Sequence, residues 1–240
     1  MVENYSKRAS EKLGLDYESV KKINPKIIVA SISAFGRSGP YAEKTGYDWI
    51  AQAFSGVMHM TGMKDGSPQP VGLGIGDANA GVHAFSAIGY ALFYRERTGK
   101  GQYLDISMVD ALFHMNELTL QAHCATDGKY MPMRAGAHHP LICPCGVYKS
   151  TDGHMVLLVL QNQWPNLCKA MDREDLIDDP RFAEQDSRAE NQETLIPILE
   201  AWLQTFPSDA EAWAQLEKFR VPSGPVMNPI DAIDHEYFNG

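Results

Sequence analysis

The chain has 240 residues, of which 44% are hydrophobic and 21% charged, and it carries a formal net charge of -9 at pH 7. This length allows one large domain or two small ones with a sizeable core. The acidic balance argues against a general nucleic-acid surface, because phosphate binding requires clustered lysine and arginine. The sequence therefore predicts a globular protein that binds small molecules or proteins and no nucleic acid.

The sequence carries no sign of export or of membrane insertion. Its opening residues, MVENYSKRASEKLG, contain no hydrophobic signal core, and the longest aliphatic run, 155–160, is far too short to cross a bilayer. The four cysteines form neither a disulfide framework nor a C-x-x-C pair. These features predict a soluble, cytoplasmic protein with reduced thiols, no membrane contact and no metal site.

The first half of the chain alternates predicted strands and helices. An apolar, β-branched run at 26–33 predicts a buried strand, and 47–60 predicts a helix. After a glycine-punctuated run at 71–76, a helix is predicted through 97, with Val82, Phe85, Ile88, Leu92 and Phe93 on its apolar face. Residues 102–108 alternate as a strand, and a helix follows from 110 to about 125. This order is typical of an α/β domain.

The second half predicts a smaller α+β module. Residues 128–146, rich in glycine, proline and histidine, indicate an active-site loop or an interdomain crossing. The runs 146–149 and 154–160 flank Ser-Thr-Asp-Gly, which predicts a hairpin. Helices are then predicted near 164–171, 190–204 and 209–219, followed by an extended segment at 221–226 and a final short helix opened by Asn-Pro.

Asp77 is the most informative single residue. It ends the run Val-Gly-Leu-Gly-Ile-Gly and stands at or near the N-cap of the predicted helix, where backbone amides and the helix dipole favour an ionised carboxylate. A carboxylate on a glycine-lined approach can attack a substrate carbonyl. A plain helix-capping aspartate is the alternative, and caps are far commoner than nucleophiles.

Four other functional motifs are not supported, because the sequence does not match their spacing or composition. The glycines at 72, 74 and 76 do not follow the G-x-G-x-x-G pattern, and Thr-Gly-Lys-Gly at 98–101 lacks the Walker pattern. No G-x-S-x-G elbow is present for a serine hydrolase. The adjacent histidines His138 and His139 lack a nearby carboxylate to complete a metal set.

Five segments together resemble the class III coenzyme A transferase family, which includes formyl-CoA transferase and carnitine CoA-transferase. They occur in the family's order with compatible spacing, and they span essentially the whole chain: VENYSKRASEKLGLDYESVKKINPKIIVASISAFGRSGPY at 2–41, GYDWIAQAFSGVMHMTG at 46–62, VGLGIGDANAG at 71–81, RERTGKGQYLDISMVDAL at 95–112 and VPSGPVMNPIDAIDH at 221–235. Any one segment is weak evidence for the family, whereas the five segments in this order are specific for it.

The resemblance implies an acyl-CoA:carboxylate CoA-transferase with a covalent mechanism. Asp77 matches the family's nucleophilic aspartate, which passes through an aspartyl-acyl anhydride and an aspartyl-CoA thioester. Asp48, in Gly-Tyr-Asp, matches a carboxylate that assists the site in some members. Acyl-CoA and a small carboxylic acid are the implied substrates, with no permanently bound cofactor.

The resemblance also implies a set of contact residues. Positions that match CoA contacts in the family are Asn4, Tyr5, Lys12, Leu13, Lys44 and Met108. The segment 134–140 falls where formyl-CoA transferase has a glycine-rich covering loop, which makes Gly136, Ala137, His138 and His139 candidate substrate-loop residues. This segment is not a glycine run here.

The implied fold is a Rossmann-like large domain, incomplete in this chain, with a smaller α+β domain. The corresponding boundaries place 1–145 in the large CoA-binding domain, 146–220 in the small domain and 221–240 at the start of a return to the large domain. Family members are longer at both ends, so a truncated chain is expected. They form interlocked, ring-like homodimers.

Two alternatives to the transferase stay open. An α-methylacyl-CoA racemase needs a base and an acid on opposite sides of the α-carbon, and these racemases place histidine where this chain has Tyr47. A catalytically silent fragment that binds CoA or assembles with a partner is the other alternative.

Overall fold

A computed structural model describes residues 1–239, and the chain divides into two compact units. The first is Met1–Arg134, and the second begins at Ala135. This division lies before the domain boundary predicted at 145, and residues 137–139 pair with the strand that begins there. His139 N donates to the Cys145 carbonyl at 2.7 Å, and Val147 N donates to the Ala137 carbonyl at 2.9 Å.

The first unit is built on a parallel sheet of three strands in the order β1-β2-β3: β1 (Val2–Glu3), β2 (Ile28–Ser33) and β3 (Gln102–Ser107). Its helices are α1 (Lys7–Leu13), α2 (Tyr17–Ile23), α3 (Asp48–Phe54), α4 (Val57–Met60), α5 (Ile75–Thr98), α6 (Met108–His114) and α7 (Glu117–Ala125). Helical segments connect each strand to the next, as parallel pairing requires. The predicted α/β class is confirmed.

Local sequence explains most of these elements. The first four residues of β2 are buried, with Ala30 opposite Val2 on one side and opposite Leu104 on the other. Helices α1 and α2 were not predicted, although Ser6 and Asp16 cap them through side-chain oxygens. The single helix predicted at 47–60 is divided, because Gly56 adopts a φ of 88° between α3 and α4.

The face of α5 that packs against the sheet differs from the prediction. The buried residues are small, namely Gly76, Ala80, Ala84 and Ala91, whereas Val82, Phe85, Leu92 and Phe93 are exposed in this structure. Small side chains let the helix approach β2 and β3 closely. Helical spacing identified an apolar stripe correctly but could not show which side of the helix meets the sheet.

The second unit contains an antiparallel sheet in the order β4-β5-β6: β4 (Cys145–Lys149), β5 (His154–Leu158) and β6 (Ser223–Pro225). Its helices are α8 (Trp164–Ala170), α9 (Gln185–Glu190), α10 (Gln192–Leu203), α11 (Asp209–Lys218), α12 (Pro229–Asp234) and α13 (Glu236–Asn239). The predicted β4-β5 hairpin is present. The segment 221–240, assigned above to a return to the large domain, starts with a strand that pairs with β5 in this unit.

A tight backbone approach makes Gly101 essential for β3. A Cβ added there would lie 1.9 Å from the Ile27 carbonyl oxygen, so the chain would have to shift. We expect Gly101→Ala to lower the free energy of unfolding by about 2 kcal/mol or more, as measured by urea denaturation. Gly89→Ala, at a helical position with nothing within 4 Å, is the control and should be neutral or stabilising. Equal stabilities of the two variants would contradict this account.

Candidate active site

Asp77 lies in the first turn of α5, and its carboxylate does not cap the helix. The N-cap is Gly74, which supplies no side-chain hydrogen bond. The Asp77 side chain is exposed, and among residues 1–239 no hydrogen bond or ion pair reaches its carboxylate. The helix-capping interpretation of Asp77 is therefore wrong for this structure, and the carboxylate is left available for another purpose.

Asp48 performs the capping from a different helix. Its Oδ2 accepts hydrogen bonds from Gly76 N at 2.7 Å and from Asp77 N at 3.0 Å. These two amides belong to the unsatisfied donors at the start of α5. Asp48 is 9% exposed, so its charge is held by amides and by the positive end of the α5 dipole. Asp48 thereby fixes the main chain that carries Asp77.

Two glycines leave space for the carboxylates of Asp48 and Asp77 at the start of α5. A Cβ on Gly76 would lie 3.0 Å from Asp48 Oδ2. A Cβ on Gly74 would lie 3.8 Å from Asp48 Oδ2 and 3.9 Å from Asp77 Oδ2, so both carboxylates border the space beside that glycine. The glycines at 74 and 76 thus place no side chain of their own between Asp48 and Asp77.

Gln52 is a site residue that the sequence interpretation missed. It lies one helical turn after Asp48 in α3, is completely buried, and donates through Nε2 to Asp48 Oδ1 at 2.5 Å. The available signal was its spacing, because residues four apart share a helix face.

Three predicted CoA-binding residues directly follow strands of the parallel sheet. Asn4 and Tyr5 come after β1 and are exposed, whereas Met108 follows β3 and is buried in the core with Leu112. The carboxyl ends of parallel strands are a common place for ligands. In this structure Met108 offers little side-chain surface to a ligand, so its contact with CoA stays a prediction that the observed packing does not favour.

The remaining predicted CoA-binding residues lie on helix and loop surfaces. Lys12 and Leu13 end α1, and both are exposed. Lys44 lies in the loop before α3, with its Nζ 5.2 Å from the centroid of the Tyr41 ring. The two lysines present positive charges that a phosphate could meet.

Arg37 orders the turn after β1 and was not among the predicted site residues. Its Nε donates to Ser31 Oγ at 2.7 Å, and its Nη2 meets the Glu3 carboxylate at 3.3 Å and the Tyr5 carbonyl. Its main-chain N donates to Asp105 at 2.9 Å. A single arginine therefore joins the ends of all three strands and holds the main chain of Tyr5.

The predicted substrate loop lies in the second unit and is partly fixed by β4. Ala137, His138 and His139 form the pairing with 145–147 described above, and Gly136 precedes them. The His138 ring packs against Tyr148 at 4.9 Å between centroids, and its buried Nδ1 has no hydrogen-bond partner among residues 1–239. Within the same residues no group of three or more His, Cys, Asp or Glu side chains could hold a metal ion.

The half-buried position of His138 predicts a pH-dependent stability. Burial lowers the pKa of His138 below its ordinary 6.5, and the charge of Glu200 opposes this shift. Because the folded state favours neutral imidazole, stability is greatest above 6.5 and falls as the pH drops toward the lowered pKa. We expect the thermal midpoint of His138→Phe to depend less on pH over this range than that of the unaltered protein. His139→Phe is the control, and an equal loss of pH dependence in both variants would contradict the assignment.

The thiols are free, as predicted, at all four positions. Burial raises the pKa of Cys143 to about 11, so this thiol is held in its neutral form. Within residues 1–239, every helix is too short or too polar to span a bilayer.

Comparison with known proteins identifies the family. The model of "CoA-transferase family III" matches residues 1–239. This chain belongs to CoA-transferase family III. The chain is 36% identical over 244 residues to a succinyl-CoA:mesaconate CoA-transferase of Haloarcula hispanica, covering 100% of this chain and 60% of that protein. It is 38% identical over 237 residues to an acetyl-CoA:oxalate CoA-transferase of Acetobacter aceti, covering 98% and 60%.

A solved member of the family has the same fold. The crystal structure of a CaiB/BaiF family protein from Brucella suis matches with a TM-score of 0.86 at 34% identity, over 99% of this chain and 62% of that one. The chain thus spans about 60% of the length of the relatives it matches. The family resemblance expected from the five sequence segments is confirmed.

Proposed function

We propose that this chain carries the site at which CoA is moved between carboxylic acids, with Asp77 as the nucleophile. The observation that most supports this proposal is that the two aspartates at the start of α5 differ in their hydrogen bonding. Asp48 satisfies the helix amides, so the carboxylate of Asp77 is spared from capping and is exposed beside a glycine. Both oxygens of that carboxylate thus stay free to attack a substrate carbonyl.

The proposed reaction has four balanced steps. The Asp77 carboxylate attacks the acyl carbon of acyl-CoA, forming an acyl anhydride and releasing CoA thiolate. The thiolate attacks the aspartyl carbonyl, forming an aspartyl-CoA thioester and releasing the first acid as its carboxylate. The incoming carboxylate attacks that thioester, forming a new anhydride and again releasing thiolate. The thiolate then attacks the new acyl carbon, giving the second acyl-CoA and restoring Asp77.

The residues around Asp77 have separate parts in this scheme. The N-terminus of α5 favours an anionic carboxylate and the negative charge that develops on the attacked carbonyl. Asp48 acts as a positioning residue by holding the amides of Gly76 and Asp77. The lack of a side chain at Gly74 leaves space for the thioester next to the nucleophile.

The substrate classes follow from the matched relatives. Their names specify succinyl-CoA with mesaconate, acetyl-CoA with oxalate and, in Mus musculus, succinyl-CoA with glutarate. We therefore propose an acyl-CoA donor and a small dicarboxylic acid as acceptor, with Asn4, Tyr5, Lys12, Leu13 and Lys44 as CoA contacts. No permanently bound cofactor enters the scheme. Assembly as a homodimer and a cytoplasmic location are part of the same proposal.

A transfer assay tests this function directly. The protein is mixed with succinyl-CoA and, in turn, with oxalate, glutarate or mesaconate, and the new acyl-CoA is measured by mass spectrometry. We expect a new CoA ester with at least one acid. We also expect no deuterium uptake from heavy water into a 2-methylacyl-CoA, because Tyr47 replaces one half of the racemase acid-base pair. Deuterium uptake without CoA transfer would favour the racemase alternative and contradict the proposal.

A further inference from the structure

The amide side chain of Gln52 makes three hydrogen bonds inside the first unit. Its Nε2 donates to Asp48 Oδ1 at 2.5 Å and to the Leu73 carbonyl at 3.3 Å. Its Oε1 accepts from Val71 N at 2.9 Å. The orientation of the amide is set by these partners, since the reverse orientation would place an oxygen against two oxygens and an NH₂ group against an N–H.

Gln52 and Asp48 together hold both ends of the segment 71–77. Gln52 bonds to Val71 and Leu73 at its start, and Asp48 bonds to Gly76 and Asp77 at its end. The two side chains are joined to each other by the 2.5 Å hydrogen bond. Among residues 1–239, every hydrogen bond between this glycine-rich segment and α3 therefore involves Asp48 or Gln52, which are bonded to each other.

The chemistry of the pair requires an amide at position 52. One group must donate to a carboxylate and a carbonyl while it accepts from a main-chain N–H. An ionised carboxylate cannot donate, and an apolar side chain of similar size can do neither. A core position that only needed filling would not require a buried polar group with three partners, because burying an amide is unfavourable unless it is bonded.

We propose that Gln52 is the positioning residue that fixes the glycine segment, and through it the reacting carboxylate of Asp77. Its role in catalysis rests on the proposed transferase function, whereas its hold on residues 71–77 does not. The mechanism is positional, because a misplacement of about 1 Å can cost a reaction about a hundredfold in rate.

Two variants of Gln52 distinguish this role from simple packing. Gln52→Met keeps an unbranched buried side chain and removes all three hydrogen bonds. Gln52→Glu places a second carboxyl against Asp48, the one titratable side chain that bonds to Gln52 among residues 1–239. Two carboxyl groups in contact share a proton, so one of their pKa values rises. When protonated, the introduced carboxyl can again donate to Asp48 and accept from Val71.

Hydrogen exchange of the 71–78 backbone is the first measurement, made on the full chain. We expect Gln52→Met to lower the protection factors of the Val71, Gly76 and Asp77 amides by about tenfold or more at every pH. Gln52→Glu should lose protection near pH 8 and recover much of it near pH 5. Gln215→Glu, whose Nε2 donates to the Ala170 carbonyl in the second unit, is the control and should leave these amides unchanged.

The transfer assay supplies the second measurement. We expect kcat to fall about a hundredfold in Gln52→Met with a smaller change in KM, and to recover in Gln52→Glu as the pH is lowered. Unchanged protection of Gly76 and Asp77 in Gln52→Met would overturn the positioning role. Lost protection in the variants together with an unaltered protein that transfers no CoA would refute the proposed function and leave the hold of Gln52 on the segment established.

Discussion

Asp77→Asn is expected to lower CoA transfer by several orders of magnitude while the protein stays folded. Asparagine keeps the size of the side chain, but its amide cannot form the anhydride or the thioester on which the proposed transfer depends. The fold should lose about 1 kcal/mol or less, since Asp48 and not Asp77 bonds to the helix amides. The measurements are the transfer rate and the free energy of unfolding in urea.

A chemical trap and a matched control make this prediction specific. With acyl-CoA present, hydroxylamine should convert Asp77 to a hydroxamate in the unaltered protein, and mass spectrometry should find none in Asp77→Asn. Asp110→Asn is the control, because Asp110 is also an exposed aspartate in the first turn of a helix, α6. It should retain transfer and trapping. Retained activity in a folded Asp77→Asn variant would remove Asp77 from the mechanism.

The elements that sequence reasoning found are those with a strong local cause. Strand β2 follows from an apolar run rich in isoleucine and valine, and the β4-β5 hairpin follows from its turn residues. The location of Asp77 at the start of α5 could be predicted because the glycines are its sequence neighbours. Each of these signals lies within a few residues of the feature that it predicts.

What the sequence did not reveal depends on contacts between distant residues. The capping of α5 by Asp48 joins positions 28 and 29 residues apart, and local pattern gave no reason to prefer Asp48 over Asp77 as the cap. Gln52 looked like an ordinary helix residue, because only the fold brings Val71 and Leu73 to it. The spacing of apolar residues in α5 likewise could not show that its small residues meet the sheet.

In the proposed mechanism, the two carboxylates at the start of α5 have different parts. Asp48 is buried and receives two main-chain hydrogen bonds, so its charge is stabilised where it stands. Asp77 is exposed and keeps its oxygens free. A nucleophile that also capped the helix would have to break those bonds to react. Separate capping and reacting groups avoid that loss.

Arg188→Met is expected to cause the largest loss of stability, about 2–5 kcal/mol, in the second unit. Arg188 is completely buried and has no carboxylate partner within hydrogen-bond distance among residues 1–239. Its guanidinium donates to the carbonyls of Cys143, Phe182 and Ala183 at 2.9, 2.7 and 3.2 Å and to the side-chain oxygen of Gln161 at 2.7 Å. Methionine fills part of the space and leaves these acceptors buried without donors.

The substitution also has an opposing, stabilising effect, because it removes the free-energy cost of burying a charge. Burial lowers the pKa of Arg188, which shows that the surroundings disfavour the cation. The loss should nevertheless prevail, because the guanidinium joins α9 to the segment before β4 and stacks on Trp164 at 4.8 Å. Arg181→Met is the matched control: Arg181 also stacks on an aromatic ring, that of Phe182, but it is exposed and should be dispensable. Urea unfolding followed by tryptophan fluorescence measures both variants, and equal stabilities would show that relief of the buried charge cancels the lost hydrogen bonds.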